Sequence, residues 1–540
     1  MIEVGVAATV LRTPVLVVGA GPVGAVLALE LAHHGVPSLV VDRGDPPPRH
    51  DALDHLGGRS MELLRRLGLS AGIRRAGVDA DAATDVVWSR RLDRPPVLVA
   101  QRPSVNQLRQ RYATVNDGSA PAEHHQPVFG SHLTATLRAA LRAAPLVDLR
   151  EGWTCTQLRV DADGATATLH DARDGAPVTV AARYVAGCDG PASIVRSCAD
   201  IGLEGLGTPV PYRAISLRSK ELALRSRGPG LSTIVVGGLT LLSRDERDAW
   251  VAHVAVDPLS RPDPASLLHG FLDDGSLEVL GVQDWTDALE VASSYRRGPV
   301  FLAGEAAHRF RPAGDTSDTG IADAVDLGWK LAAVHNGWAA PALLDSYEAE
   351  RRPAALMDRE ILSRGLETRR RFARLAAAGA PQDYLAGVLR QEPHVVDDAG
   401  IGFGARYATS PVIWHERGTP PSLHGRRITP STWPGGRPPA VRLSDGAQLF
   451  DRLGAQFTLV DLTDDGAGAP LCAAAVSRGI PMAHLPLTDP AVRACWGRRL
   501  VLVRPDHHVA WRDDTPPDNW LTILDTVRGA TTHALPTARS

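Results

Sequence analysis

The sequence predicts an α/β protein in which a parallel-sheet domain is interrupted by a second β-sheet and followed by a small α/β domain. Residues 15–42 read as strand, helix and strand, because two apolar β-branched runs flank a segment of helical periodicity. Residues 205–290 read as short strands with proline- and glycine-rich breaks, which indicates a sheet inserted into the first domain. After a Pro/Gly-rich linker at residues 418–439, the patterns of strand, helix, strand and hairpin indicate the last domain.

The turn after the first strand carries the glycine motif Gly19-Ala20-Gly21-Pro22-Val23-Gly24. Its first glycine permits a tight turn, its second lets the backbone approach a pyrophosphate, and its third lets helix and strand pack closely. The second strand ends on Asp42, where a carboxylate accepts hydrogen bonds from an adenosine ribose. Arg43 is read either as a phosphate partner or as a solvated charge. The pattern therefore predicts a dinucleotide site with these cofactor-binding residues: Gly19, Gly21, Pro22, Val23, Gly24, Asp42 and Arg43.

Two later motifs extend this prediction, namely Gly187-Cys188-Asp189-Gly190 and the strand Phe301-Leu302-Ala303, which breaks at Gly304-Glu305. With the glycine motif, they make the chain resemble the para-hydroxybenzoate-hydroxylase-like family of FAD-dependent monooxygenases, particularly the members that tailor bacterial polyketides. Arg59-Ser60-Met61-Glu62 and Leu502-Val503-Arg504-Pro505-Asp506 also match, so the resemblance spans nearly the whole chain. It implies a Rossmann-like FAD-binding domain interleaved with a β-sheet substrate domain, and a C-terminal thioredoxin-like domain.

The resemblance and the local patterns together predict the domain boundaries. The FAD-binding domain is expected in three parts and the substrate domain in two, before the linker and the last domain. In chain order these are residues 1–80 (FAD-binding), 81–115 (substrate), 116–204 (FAD-binding), 205–290 (substrate), 291–417 (FAD-binding, with long helices), 418–439 (linker) and 440–530 (thioredoxin-like).

The resemblance also implies further contacts to FAD. Gln126 matches a polar residue that reaches the ribityl region, and Glu305 takes the position of an aspartate that bonds the ribityl chain. Asp189 is expected near FAD, although it also reads as a turn residue that caps the next helix. His308 is expected to be a structural contact rather than a general base, and no catalytic side chain follows from the sequence. The remaining expected cofactor-binding residues are Arg59, Gly304, Pro312, Gly314 and Asp318.

The loop that should face the flavin departs from the family. The family has a glycine pair and an asparagine before Thr-Gly, whereas this chain is one residue shorter between Pro312 and Thr319 and contains Asp315 and Asp318. Negative side chains there would oppose the negative charge of reduced flavin. Two functions therefore remain open: a hydroxylating monooxygenase that uses FAD and NADPH, and a non-redox [4+2] cyclase of the decalin-forming kind, in which FAD is structural. A flavin-binding protein without catalysis is a third, less favoured class.

Composition limits the classes of partner and the cellular location that are expected. The net charge of −3 gives no electrostatic reason to expect nucleic acid or an acidic membrane surface as a partner. A small hydrophobic polyketide-type molecule is the expected substrate, and a homodimer is possible. No signal peptide or membrane span is recognisable, so a cytoplasmic location is expected. The five cysteines form no CxxC pair, and the C-terminal domain is therefore expected to be redox-inert.

Overall fold

The computed structural model describes residues 10–531 except 45–52, 162–163, 174, 208, 221, 223–232, 245–247, 258–262, 270–276, 288, 311–316, 393–398 and 424–426. Pro312, Gly314 and Asp315 of the expected flavin loop lie outside the described residues. No helix in the described part of the chain is long and apolar enough to cross a membrane.

The fold combines many short strands with a few long helices. The strands are β1 (Leu11–Val18), β2 (Ser38–Asp42), β3 (Leu53–Leu56), β4 (Val86–Ser89), β5 (Leu98–Ala100), β6 (Gln126–Phe129), β7 (Val147–Glu151), β8 (Trp153–Asp161), β9 (Gly164–Asp171), β10 (Pro177–Gly187), β11 (Leu203–Glu204), β12 (Val210–Arg218), β13 (Thr233–Val236), β14 (Leu239–Ser243), β15 (Ala249–Ala255), β16 (Glu278–Asp287), β17 (Glu290–Ala292), β18 (Arg296–Arg297), β19 (Val300–Leu302), β20 (His308–Arg309), β21 (Phe457–Asp461), β22 (Met482–Pro486), β23 (Leu500–Val503) and β24 (Val509–Asp513). The helices are α1 (Pro22–His33), α2 (Gly58–Arg66), α3 (Ser70–Ala76), α4 (Val105–Arg111), α5 (Gly130–Ala143), α6 (Ile194–Cys198), α7 (Pro264–His269), α8 (Ser317–His335), α9 (Asp345–Ala377), α10 (Gln382–Arg390), α11 (Ala399–Gly404), α12 (Ala469–Ser477), α13 (Pro490–Trp496) and α14 (Trp520–Val527).

The first sheet has the strand order β18-β19-β10-β1-β2-β7, and β9 and β8 extend it from β10. Strands β19, β10, β1, β2 and β7 run parallel to one another, and Val15–Val18 of β1 is buried on both faces. Helices α1 and α8 pack against each other beside this sheet. Their approach is close, since a Cβ at Gly328 would lie 2.5 Å from Cγ of Glu30. The predicted strand–helix–strand opening is confirmed, and its glycine turn lies at the carboxyl end of β1.

A second sheet has the strand order β16-β12-β15-β14-β13-β4-β5. Its strands β4 and β5 precede strands β6–β10 in the chain, and its other five strands follow them. Its residues alternate between two environments, as the two-residue period of a strand requires. One set, including Ile215, Leu217, Leu241 and Ala252, forms a separate hydrophobic core. The other set lies on the opposite face, which therefore remains available for a cavity.

The C-terminal domain has a four-stranded sheet in the order β22-β21-β23-β24, flanked by α12, α13 and α14. It is joined to the first domain by a buried ion cluster centred on Arg504, immediately after β23. The guanidinium donates to Glu350 at 2.6 and 2.8 Å, to Asp326 at 3.0 Å and to Asp506 at 2.6 and 3.1 Å. Lys330 donates to Asp326 at 2.7 Å and to Glu350 at 2.6 Å. The two cations and three carboxylates therefore bind one another across the domain boundary, and burial together with the neighbouring carboxylates raises the pKa of Asp326 above its ordinary value.

The spacing of Asp326, Glu350 and Asp506 is also compatible with a metal ion, since their oxygens lie within 4.8 Å of one another. The space between them is filled by Lys330 and Arg504, whose side chains are completely buried. Burial opposes ionisation of Glu350, but the attraction of Arg504 and Lys330 outweighs it and holds the pKa of Glu350 below its ordinary value. The cluster is therefore an ion-pair network rather than a metal centre.

We expect Arg504→Met to lower the free energy of unfolding by about 3–5 kcal/mol, because it leaves buried carboxylates without their main counter-charge. Urea unfolding measures the change. The matched control is Arg499→Met. The half-exposed side chain of Arg499 lies 3.4 Å from Asp464, and its replacement should lower the free energy of unfolding by less than about 1 kcal/mol. Equal losses from the two substitutions, or destabilisation of the native protein by EDTA, would contradict this account.

Candidate functional site

Three backbone segments meet at the carboxyl edge of the parallel sheet: the glycine turn, the helical turn at Gly304–Ala306 after β19, and the first turns of α8. They meet at Val23. A Cβ at Gly304, where φ is +63°, would lie 2.7 Å from Cγ2 of Val23, and a Cβ at Gly320 would lie 2.6 Å from the same atom. Only glycine permits this approach, so Gly304, Gly320 and Val23 position the two loops against each other.

The glycine turn fits a pyrophosphate. Gly19 has φ of +100°, and a Cβ there would lie 2.4 Å from the carbonyl oxygen of Cys188, while a Cβ at Gly24 would lie 1.9 Å from the carbonyl oxygen of Gly19. At Gly21, in contrast, a Cβ would meet no atom of the described residues within 4 Å. Gly21 precedes α1, whose first N–H groups have no side-chain cap. An open space facing uncapped helical N–H groups is what an anionic phosphate requires.

Asp42 lies beside this turn and holds it. Its carboxylate accepts hydrogen bonds from the N–H of Ala20 at 2.8 Å and of Gly44 at 2.9 Å. It also accepts one from Arg138 of α5 at 2.8 Å, and the same guanidinium donates to the carbonyl oxygen of Ala20 at 3.3 Å. Arg138 lines the cavity next to the turn, whereas Arg43 is exposed and does not line it. Sequence reasoning missed Arg138, because arginines recur along α5 and none stands out by spacing.

Two residues that were expected to contact the cofactor have hydrogen-bond partners within the protein. Gln126 is 2% exposed and outside the cavity lining, because its amide donates to the carbonyl oxygens of Val78 at 3.1 Å and Pro127 at 2.8 Å. It is turned into the protein, away from the cofactor side. Arg59 does line the cavity, but its guanidinium donates to the carbonyl oxygens of Asp506 at 2.9 Å and His507 at 3.2 Å. The guanidinium of Arg59 therefore lies at the boundary with the C-terminal domain.

The acidic residues of the expected site have different environments. Asp189 caps α6, since its carboxylate accepts from the hydroxyl of Ser193 at 2.6 Å and the N–H of Val195 at 3.1 Å. This is the capping role that the sequence left open beside a cofactor contact. Glu305 is half-buried and lines the cavity. Asp318 also lines the cavity, and both of its oxygens accept from the N–H of Gly57, at 2.8 and 3.0 Å.

A buried network supports the loop that carries Glu305. Asp323, which is completely buried, accepts from the N–H of Gly304 at 3.1 Å and from Arg351 at 2.8 Å. His308 lies 2.9 Å from Asp323, stacks on Phe310 and does not line the cavity. Burial opposes ionisation of Asp323, but Arg351 and His308 hold its pKa below the ordinary value. His308 is therefore a structural contact, as expected, and Asp323 positions the loop.

A cavity of about 2470 Å³ extends from the glycine turn to the second sheet. Small-molecule sites usually measure roughly 300–1,000 Å³, so this cavity has room for a dinucleotide and a second molecule. The register of the sheet explains one wall. Ser216 pairs with Val251, Val251 with Leu242, and Leu242 with Thr233, and all four line the cavity. They are the alternate residues to those in the hydrophobic core.

A glycine turn at the edge of a parallel sheet, opening into a cavity that a second sheet covers, defines an enzyme with a bound dinucleotide cofactor. Residues 12–358 match the model of the FAD binding domain, and residues 431–534 match that of the aromatic-ring hydroxylase C-terminal domain. The chain belongs to the family of para-hydroxybenzoate-hydroxylase-like FAD-dependent monooxygenases.

Several relatives are similar over most of their length. The FAD-dependent monooxygenase apdD of Emericella nidulans is 31% identical, over 93% of this chain and 87% of the relative. A putative polyketide hydroxylase of Streptomyces halstedii is 30% identical, over 94% of both chains. Dialkyldecalin synthase of Streptomyces rugosporus is 29% identical, over 95% of this chain and 98% of the relative.

Solved structures agree with this assignment. The rebeccamycin biosynthetic enzyme RebC with reduced flavin superposes with a TM-score of 0.84 at 31% identity, covering 97% of this chain and 100% of that chain. The architecture is therefore that of FAD-dependent hydroxylases that tailor natural products.

We expect Asp42→Ala to weaken FAD binding, because it removes the carboxylate that orders the glycine turn and that the sequence predicts to bind a ribose hydroxyl. Loss of one charge-assisted hydrogen bond should weaken affinity by about tenfold or more. Titration of the FAD-free protein with FAD, monitored by flavin fluorescence, measures the affinity. The control is Asp148→Ala on the neighbouring strand β7, whose exposed carboxylate meets Arg150 at 2.7 Å. Unchanged affinity in Asp42→Ala would remove this residue from the cofactor site.

Proposed function

We propose that this enzyme is an NADPH-dependent hydroxylase that acts on an aromatic or polyketide substrate. The observation that carries the proposal is the single cavity that joins the glycine turn to the second sheet. A cofactor at the turn and a substrate under the sheet would share one space, as hydroxylation requires. The similarity to a putative polyketide hydroxylase supports the same class of substrate.

Different residues would bind different parts of FAD. The glycine turn and the N-terminus of α1 would bind the pyrophosphate, and Asp42, held by Arg138, would bind the ribose. Glu305 lines the cavity and would bind the ribityl chain, next to Gly304, whose N–H Asp323 holds. FAD, once bound and reduced by NADPH, supplies the oxygen-activating chemistry. The protein orients the substrate and excludes water from the cavity.

Two carboxylates on the cavity wall bear on the redox reaction. Glu305 follows β19, and Asp318 lies in the first turn of α8. The N-terminus of a helix normally favours an anion nearby. Asp318 already places a negative charge there, so it offsets the stabilisation that this helix would offer to a reduced, anionic flavin. We infer slower reduction by NADPH than in a hydroxylase without these charges.

The second candidate is a non-redox cyclase that forms a decalin ring by an intramolecular [4+2] cycloaddition. The carboxylate in the first turn of α8 favours it, because a structural FAD needs no stabilisation of its reduced state. The similarity to dialkyldecalin synthase agrees with this alternative. In such an enzyme the cavity would fold the substrate, and proximity of the reacting groups would provide the catalysis. We place this function second, because hydroxylases form the larger part of the family.

NADPH addition to the FAD-loaded protein distinguishes the two functions. With a polyketide substrate present, the hydroxylase should bleach the flavin absorbance slowly and consume oxygen. Asp318→Asn should accelerate the bleaching roughly fivefold, since removal of a nearby charge is worth about 1 kcal/mol at a partly solvated site. Asparagine retains an oxygen that can accept from Gly57.

The matched control for this experiment is Asp345→Asn, an exposed carboxylate in the first turn of α9. It should leave the rate unchanged. Bleaching of the native protein within seconds, with oxygen consumption, would support the hydroxylase and show that the charge argument is wrong. No bleaching in any variant would favour the cyclase.

We further propose that the C-terminal domain is thioredoxin-like in fold but takes no part in redox chemistry. Its cysteines are not paired: burial and the nearby Asp461 raise the pKa of Cys472 to about 11, and burial also raises the pKa of Cys495. A thiol with a raised pKa contains little of the reactive thiolate.

Insulin reduction with dithiothreitol, assayed with the full chain, should therefore proceed no faster than in the absence of the protein. The double substitution Cys472→Ser and Cys495→Ser should leave FAD content unchanged. Acceleration of insulin reduction that the double substitution abolishes would contradict a purely structural role.

A further inference from the structure

The part of the cavity that meets the second sheet contains positively charged side chains that the proposed reaction does not use. Arg369 comes from the C-terminal half of α9, and Arg102 follows β5. Both line the cavity together with His253 of β15 and Trp285 of β16. The two arginines thus approach one region from different elements, which are separated by hundreds of residues in the chain.

Neither of these two guanidinium groups has an acid bonded to it in the described part of the chain. Within the described ranges, no hydrogen bond or ion pair joins either guanidinium to another residue. The charge of Asp287 acts on Arg369, but this buried carboxylate lies 3.6 Å from the neighbouring Arg370. Burial lowers the pKa of Arg369, and the charge of Arg102 lowers it further, although Tyr212 and Asp287 oppose this. The region thus holds three arginines, Arg102, Arg369 and Arg370, against the single carboxylate of Asp287, so it carries excess positive charge.

The wall beside the arginines is flat and aromatic. Trp285 stacks on Tyr212, its cross-strand neighbour, with ring centroids 4.5 Å apart and planes inclined by 11°. His253 meets the edge of Trp285 at 5.6 Å. The Nδ1 of His253 and the Nε1 of Trp285 are both buried, and neither has a hydrogen-bond partner in the described part of the chain. Buried polar atoms of this kind usually have a partner in the functional state.

The protonation state of His253 agrees with a positive field. Burial lowers its pKa to about 3, and the charges of Arg244 and Arg369 contribute to the shift. The imidazole is therefore neutral at physiological pH, and one of its nitrogens carries a proton. The region then offers fixed positive charge from arginine and neutral donors from His253 and Trp285, without adding a carboxylate of its own.

We infer that the substrate carries a carboxylate on a flat conjugated body, with the carboxylate bound by Arg369 and Arg102 and the flat body against Trp285 and His253. Planar guanidinium groups bind carboxylates through paired, charge-assisted hydrogen bonds. This inference rests on the proposed function in one respect, namely that the cavity under the sheet is the substrate site. It adds the charge of the substrate, which the proposed reaction leaves open.

Binding of a matched pair of probes to the FAD-loaded protein tests the inference without relying on turnover. The probes are anthracene-2-carboxylate and anthracene-2-carboxamide, which share the ring system and differ in charge. Isothermal titration should show the acid binding at least about tenfold more tightly than the amide. Arg369→Gln should weaken the acid by about tenfold or more and leave the amide within about threefold. Arg102→Gln should act in the same direction.

The matched control is Arg371→Gln, which removes the same charge from the same helix at an exposed position outside the cavity. It should change neither affinity. Equal binding of acid and amide, binding of neither probe, or equal weakening of both by Arg369→Gln would overturn the inference. Displacement of the acid by adenosine 2′,5′-bisphosphate would assign the arginines to a nicotinamide nucleotide instead, and would also overturn it.

The outcomes separate this inference from the proposed function. Discrimination between acid and amide in a protein that consumes no oxygen with NADPH would leave the carboxylate site standing and remove the hydroxylase proposal. Oxygen consumption without discrimination between acid and amide would leave the hydroxylase proposal standing and remove the carboxylate site.

Discussion

The compensation of buried charge along α8 is the constraint on which both the domain arrangement and the cofactor side of the cavity depend. One face of this helix carries Asp326, which accepts from Arg504 of the C-terminal domain, and Lys330, which donates to Asp326. An earlier turn carries Asp323, which meets Arg351 and the N–H of Gly304. Each of these charges would be costly if its partners were removed. The helix is therefore held in one position from both sides.

That position determines the shape of the cofactor side of the cavity. Because α8 is held, its first turn approaches the glycine turn closely enough that Gly320 and Gly304 must lack side chains beside Val23. The same turn presents Asp318 to the cavity, where its carboxylate also binds the N–H of Gly57 before α2. The C-terminal domain, although remote from the glycine turn in sequence, thus contributes to the site by fixing the helix that carries one of its walls.

The second sheet has a different role, since it supplies the wall against which a substrate would lie. Its two faces are distinguished only by the alternation of side chains along each strand. Hydrophobic residues such as Ile215 and Leu241 fill a closed core, while their neighbours Ser216 and Leu242 line the cavity. A small change in register would exchange the two sets. The pairing of β12 with β15 and β16 therefore determines which side chains line the cavity, including His253 and Trp285.

The sequence by itself determined the features that depend on local geometry. The glycine turn between β1 and α1, the end of β2 at Asp42 and the chain break after β19 at Gly304 lie where the sequence predicts them, because backbone conformation and chain reversal leave a mark in consecutive residues. Only the tertiary structure decided where longer side chains point. Gln126 turned inward to backbone carbonyls, Arg59 turned to the C-terminal domain, and Arg138 came to the glycine turn from α5. The physical reason is that such side chains choose among partners far apart in the chain, and the packing of helices and sheets settles which partners are within reach.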